Sequence, residues 1–446
     1  MLDSYDLIPC NADIVNHAGR GPGDIAIASG RIAAIGDLGR ALAQEEIDCA
    51  GLTVLPGVID TQVHFREPGN EHKEDLASGS LAAVMGGVTA VFEMPNTKPL
   101  TTTAEALADK VNRAEGRMHC DFAFYMGATG DNADQMAALE AVPGCCGVKI
   151  FMGASTGDLL VPDDATLARV LAHGRRRVAI HCEDEARMQA RLDKRVPGDP
   201  ASHPNWRDDE TAFKATRRAV TLARKAGRRV HILHVTTADE MAYLAQNKDI
   251  ASVEATPQHL TLAAETAYPS LGTYAQMNPP IRGERHRAGL WHAVAQGVVD
   301  VIGSDHAPHT VEEKAQAYPD SPAGMPGVQT LLPLLLDHMA QGRLSLDRLV
   351  DLTSHGANRL FNLRDKGRLA VGYHADITVV DLKKSWTVEE QWLASKCGWS
   401  PYTGMTLTGK PVGTIVRGRR VMWQDELVTP ALGEAIRFQE TIEPAP

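Results

Sequence analysis

Short apolar runs broken by turn residues open the chain. Between residue 7 and about 55, Leu7-Ile8, Ala12-Asp13-Ile14-Val15, Ile25-Ala26-Ile27 and Arg31-Ile32-Ala33-Ala34-Ile35-Gly36 alternate with Gly, Asn and Asp. That punctuation predicts a small antiparallel β unit. The same texture returns late, at 375–381 and 413–421. Neither end is large enough for a stable sandwich alone, so both are expected to fold together and bring the two ends of the chain close.

Between them the rhythm changes to strand, loop, helix. Apolar strand candidates lie at 53–59, 88–92, 121–126, 147–151, 178–181, 230–234, 252–255 and 299–303, with helical stretches such as 105–115, 164–174, 211–226 and 285–296. Eight such units over about 300 residues predict an α/β protein built on a (β/α)8 TIM barrel. Near-continuous apolar strands also suit a parallel sheet covered on both faces. An open doubly wound sheet would want a Gly-rich turn after its first strand, and Ile59 is followed instead by Asp60-Thr61-Gln62-Val63-His64. The expected division is 1–55 and 368–446 for the two parts of a composite β-sandwich domain and tail, and 56–367 for the barrel. The Pro/Gly-rich piece 318–327 reads as a loop after the last strand, on the active face.

Composition narrows the partners. Aromatics at 5% leave few stacking platforms for bases, and a net charge of −11 opposes phosphate binding. No nucleic acid is expected. Seven scattered cysteines without a C-x-x-C pair suit a reducing cytoplasm. The start, Met1-Leu2-Asp3-Ser4-Tyr5-Asp6, lacks the plan of a signal peptide. No apolar run approaches the roughly 20 residues of a membrane span. The apolar stretch 331–339 suggests a face on which two copies pair as a homodimer.

Barrel enzymes carry their chemistry on the C-terminal ends of strands, and these ends repeat one theme. Strand 1 closes near Asp60 and His64, strand 4 holds Lys149 inside an apolar run, strand 5 ends at His181, strand 6 at His234, and strand 8 runs into Ser304-Asp305-His306-Ala307-Pro308-His309. A lone histidine at a strand end is more often a hydrogen-bonded core residue, and a lone lysine can snorkel to the rim. Three histidines, a lysine and an aspartate at one barrel end instead look like a divalent metal site, because imidazole and carboxylate suit zinc. An ammonium cannot ligate a cation. Burial lowers a lysine's pKa, and the neutral amine can then add CO₂ to give an anionic carbamate that bridges two metals.

The segments His64-Phe65-Arg66-Glu67-Pro68-Gly69, Met94-Pro95-Asn96-Thr97, Asn278-Pro279-Pro280-Ile281-Arg282 and 304–309 resemble dihydroorotases of the amidohydrolase superfamily. The similarity extends over nearly the whole chain. Hydantoinases and allantoinases share the fold and the metal ligands; the Phe-Arg-Glu-Pro-Gly and Met-Pro-Asn-Thr combination favours dihydroorotase. The resemblance implies that His64, His181 and His234 ligate one or two Zn2+ ions, with Lys149 as the bridging carbamate and Asp305 as both ligand and general acid/base. It places Arg66, Asn96, Asn278 and His309 around the carboxylate and ring of a small anionic substrate. A guanidinium suits a carboxylate, and amides both donate and accept.

The pattern breaks once. The family has His-x-His after strand 1, where this chain has Gln62-Val63-His64, and an amide carbonyl is a weaker zinc ligand than imidazole. The implied reaction is the reversible cyclisation of N-carbamoyl-L-aspartate to L-dihydroorotate in pyrimidine synthesis. The alternatives are an allantoinase or hydantoinase on the same metals, and a non-catalytic partner of aspartate transcarbamoylase. The retained Lys149, His181, His234 and Asp305 favour an active enzyme.

Overall fold

A computed structural model describes residues 5–17, 19–39, 41–155 and 159–439. Of the stretch read against a signal peptide, Met1–Asp6, residues 1–4 lie outside the described residues. Six strands come first: β1 Tyr5–Cys10, β2 Ala12–Asn16, β3 Gly19–Ala28, β4 Arg31–Gly36, β5 Ala43–Asp48 and β6 Thr53–Pro56. The barrel follows with β7 Val58–Val63, β8 Val88–Glu93, β9 Asp121–Gly127, β10 Cys145–Phe151, β11 Val178–His181, β12 Val230–Ile232, β13 Ala251–Ala255 and β14 Val301–Ile302. Four strands close the chain: β15 Ile377–Thr387, β16 Thr406–Val416, β17 Arg419–Trp423 and β18 Glu426–Leu427.

The first barrel strand differs from the expected 53–59. The apolar run changes sheets at Gly57. Thr53–Pro56 pairs with β2 and, antiparallel, with β15, so it belongs to the β domain. Gly57 then donates to the Asp376 carbonyl at 2.8 Å. A Cβ on Gly57 would sit 2.2 Å from Thr89 Oγ1, so only glycine passes between the two sheets at this point. The last strand is also shorter than expected, two residues rather than five.

Strands β7 to β14 lie side by side in chain order, all parallel. The barrel is nearly closed, with β7 meeting the β14 side through a Val63–His306 bridge and a 2.7 Å bond from the His64 N–H to the His306 carbonyl. Alternation sorts the side chains. In β10, Val148 and Ile150 join the barrel's outer core under the helices, which leaves Lys149 on the opposite face, towards the axis. The helix Asp209–Ala226 shows how the outer layer forms. Asp208 caps its N-terminus by accepting from the Thr211 N–H, Gly227 ends it in left-handed geometry, and Ala212, Ala215, Ala219, Val220 and Ala223 make the buried stripe.

The β domain joins both ends of the chain in one run of strands, β18-β17-β16-β15-β6-β2-β3-β1-β5, with β4 on β3. It is mostly antiparallel, but β1–β5 and β2–β6 run parallel. The ten residues of β3 serve two ladders, the first half pairing β2 and the second β1 and β4.

Two further segments settle against the barrel. The apolar stretch 331–339, expected as a pairing face between copies, is the helix Leu331–Ala340, whose residues from Leu331 to His338 are buried within this one chain. It packs on β16, where a Cβ on Gly409 would touch that of Leu336 at 2.7 Å. Residues 433–438 run beneath the barrel, bonding to the Met118 and Phe122 backbone and placing Ile436 and Phe438 against Phe92 and Phe361 in the barrel interior.

Candidate active site

The expected residues gather in three groups at the C-terminal end of the barrel. In the first, the His64 Nδ1–H donates to Asn96 Oδ1 at 2.8 Å, and His64 Nε2 faces Asp305 Oδ1 at 3.2 Å. Burial lowers the His64 pKa and so favours the neutral ring. With its one proton on Nδ1, the ring turns a lone pair towards a carboxylate oxygen, an arrangement that suits a cation between them. Gln62 Nε2 donates to the same Asp305 oxygen at 2.9 Å, and Gln62 Oε1 is buried without a hydrogen-bond partner.

In the second group, His181 Nδ1 and His234 Nε2 stand 3.0 Å apart. His181 Nε2–H donates to Glu183 Oε2 at 2.8 Å, which fixes the tautomer and leaves Nδ1 bare. Glu183 is held in turn by Arg207, whose Nε reaches Oε1 at 3.0 Å. Burial raises the Glu183 pKa, but the Arg207 charge and the His181 bond outweigh it and hold the carboxyl well below the usual range.

Lys149 belongs with both groups. It is fully buried, its Nζ has no hydrogen-bond partner and lies 4.2 Å from the Phe151 ring centroid. Burial brings its pKa down to about 7, against the opposing pull of Asp305 and Glu254. Its charge lowers the pKa of His64, His181 and His234 alike.

This donor set fits a metal. Two zinc ligands at tetrahedral angles and bonds of 2.0–2.1 Å are about 3.3 Å apart, close to the 3.0 and 3.2 Å seen within the two pairs. Among the described residues no three His, Cys, Asp or Glu form a metal-holding group, so each pair needs a further donor.

The third group lines one side. Arg66 is buried; its Nε donates to the Pro308 carbonyl at 3.1 Å and its Nη2 lies 3.3 Å from His309 Nε2. Burial lowers its pKa to about 10. His309 is flanked by Lys73 at 3.1 Å on Nδ1, and burial holds the ring neutral, with a pKa of about 3. Asn278 Oδ1 accepts from His203 Nε2 at 2.9 Å, so its NH₂ is left to donate. Arg66, His234 and Asp305 have φ of 67°, 35° and 45°, the left-handed region that non-glycine residues avoid and that clusters at functional sites.

Residues 53–421 match the Amidohydrolase family. The chain belongs to that family. Among curated relatives, the dihydroorotase of Halobacterium salinarum is 38% identical over 392 residues, covering 87% of this chain and 90% of that one. The dihydroorotase of Methanothermobacter thermautotrophicus is 34% identical over 409 residues, with 91% and 92% covered. The L-hydantoinase of Paenarthrobacter aurescens is 32% identical over 446 residues, with 95% and 96% covered. Of solved structures, the L-hydantoinase from Arthrobacter aurescens superposes with a TM-score of 0.92 at 30% identity, covering 97% of this chain and 99% of that one.

In this amidohydrolase, sequence reasoning missed the residues that orient the others. Glu183 stood in plain view after His181, but Arg207 is 24 positions away and carries no motif. His203, Lys73 and Glu254 likewise show their roles only in the fold. Glu254 lies on the barrel axis, fully buried, and burial pushes its pKa up to about 8.

Proposed function

We propose that this amidohydrolase is a dihydroorotase, interconverting N-carbamoyl-L-aspartate and L-dihydroorotate. The observation that carries the reading is Arg66. A guanidinium is buried at the candidate site with a carbonyl and a neutral histidine as partners, and among the described residues no carboxylate lies within ion-pair distance of it. A buried cation without an anion is costly, and a substrate carboxylate would complete it. Asn278, its oxygen already taken by His203, adds a donor. Both of these dihydroorotase-named relatives fit this reading.

His64, His181, His234, Asp305 and a carbamylated Lys149 would hold zinc, which when bound would polarise the ring carbonyl and acidify water. Asp305 takes the proton of the attacking water and passes it to the departing ring nitrogen. Arg66, His309 and Asn278 hold the carboxylate end still, and Gln62 and His64 keep the Asp305 carboxylate aimed. The reading includes a reducing compartment, the cytoplasm, in keeping with seven free cysteines. No helix among the described residues is long and apolar enough to cross a membrane.

The second reading is a hydantoinase, favoured by the L-hydantoinase likeness. A hydantoin ring carries no carboxylate, so it would leave Arg66 unpaired. Turnover on L-dihydroorotate, hydantoin and allantoin, measured alongside zinc content, separates them. Dihydroorotate is expected to be turned over fastest, and Asp305→Asn to keep fold and metal while losing at least a hundredfold in kcat. Faster turnover of hydantoin, or near wild-type kcat in Asp305→Asn, sinks the assignment.

A further inference from the structure

Three of the candidate metal-holding residues stand at the ends of different strands: His64 after β7, His234 after β12 and Asp305 after β14. All three strand ends meet one side chain. Glu254, from β13, accepts from Thr61 Oγ1 of β7 at 2.7 Å through Oε2. Its Oε1 accepts from the backbone N–H of His234 itself, at 3.4 Å. On the third side it lies against Gly303, where an added Cβ would be 2.6 Å from Oε2. Thr61 is three residues before His64, and Gly303 two before Asp305.

We propose that Glu254 is a positioning residue that sets the three strand ends in register so that His64, His234 and Asp305 face one centre. An apolar side chain of similar volume would fill this place without the cost of burying a carboxyl group. It could not tie Thr61 to the His234 amide. That amide needs a tie, because His234 sits in left-handed backbone, at φ 35°, that an unsupported histidine would leave. Gly303 completes the fit by leaving the space the carboxyl fills. Tyr125 supports the same point from β9, its hydroxyl donating to the Thr61 carbonyl at 3.3 Å. His231 Nε2 lies 3.5 Å from Glu254 Oε2 from below. The inference rests on the metal-centre reading proposed above.

The test measures zinc dissociation constants by chelator competition, and visible spectra with cobalt in place of zinc, on wild type, Glu254→Gln, Glu254→Ala and Thr61→Val. Glutamine keeps the shape and the Oε1 acceptor, and the Thr61 hydroxyl can turn to accept from its NH₂. It is expected to bind zinc within about threefold of wild type. Glu254→Ala is expected to lose roughly 10–100-fold in zinc affinity, the range for removal of groups that orient metal ligands, with a changed cobalt spectrum. Thr61→Val, which removes one tie and keeps the volume, is expected to lose several-fold and to show the same spectral change if Glu254→Ala fails to fold. Wild-type affinity and spectrum in both Glu254→Ala and Thr61→Val, or in Thr61→Val where Glu254→Ala does not fold, overturn the role of Glu254 and leave the metal centre standing. So does a loss in Glu254→Gln as large as in Glu254→Ala. Wild-type protein that binds no zinc overturns both readings.

Discussion

Glu183 sits between two partners that need it for different reasons. His181 uses it to keep a proton on Nε2, and Arg207 uses it to balance a guanidinium that is almost wholly inside the protein. Removing one member of such a pair leaves the other charge buried and alone, at a cost of about 3–5 kcal/mol. Arg207→Met is therefore expected to lower stability by that amount in denaturant unfolding, and to raise the Glu183 pKa towards a state that can donate to His181. A change below 1 kcal/mol would show that water replaces the guanidinium. At this scale the sequence was informative where a polar residue ended an apolar run. His64, His181, His234 and Asp305 were visible for that reason, and Lys149 because it interrupts one. Glu183–Arg207 and Asn278–His203 were not, because each partner is ordinary by itself and only the fold brings it near. Gln62 stood out in the sequence as a departure from His-x-His; its amide donates to Asp305, a contact no spacing could reveal.

At the scale of elements, the loop after β14 holds a buried lysine, Lys314, that has no carboxylate in ion-pair distance among the described residues. Lys314 Nζ donates to the Pro322 carbonyl at 2.8 Å and lies 5.8 Å from the Trp399 ring centroid. Burial lowers its pKa from 10.5 to about 7. The folded value is below the unfolded one, so between about pH 7 and 10.5 the unfolded chain binds more protons and stability rises with pH. The cost of the buried ammonium is fully present below pH 7. Lys314→Met is thus expected to gain in melting temperature relative to wild type at pH 6, with the gain shrinking steadily to pH 9. A difference that is flat across that range refutes the account. Elements were the most legible level. Helices such as Asp209–Ala226 carry both caps and a clean stripe, and their predicted ends fell within two residues. The run 53–59 was misread because two consecutive strands in different sheets look like one when both are apolar; the signal was the glycine between them.

For the whole molecule, the barrel and the joined β domain followed from rhythm alone, whereas the floor of the barrel did not. Phe438 lies in no periodic segment, yet it is buried against Phe92 at 5.9 Å between ring centroids. Phe438→Ala is expected to cost about 3–5 kcal/mol in denaturant unfolding, with turnover per folded molecule unchanged because the site is at the opposite end of the strands. Loss of turnover without loss of stability would contradict this.

That floor also orders events at the ribosome. β6 can pair with β2 early, but its other edge has no neighbour until β15 is made, more than 300 residues later, and the barrel interior stays open from below until residue 438 has emerged. A nascent chain carrying every residue of the candidate site is still an unfinished barrel with its apolar interior exposed. Chaperone contact during synthesis should therefore persist until residue 438 has emerged, and release should then be abrupt.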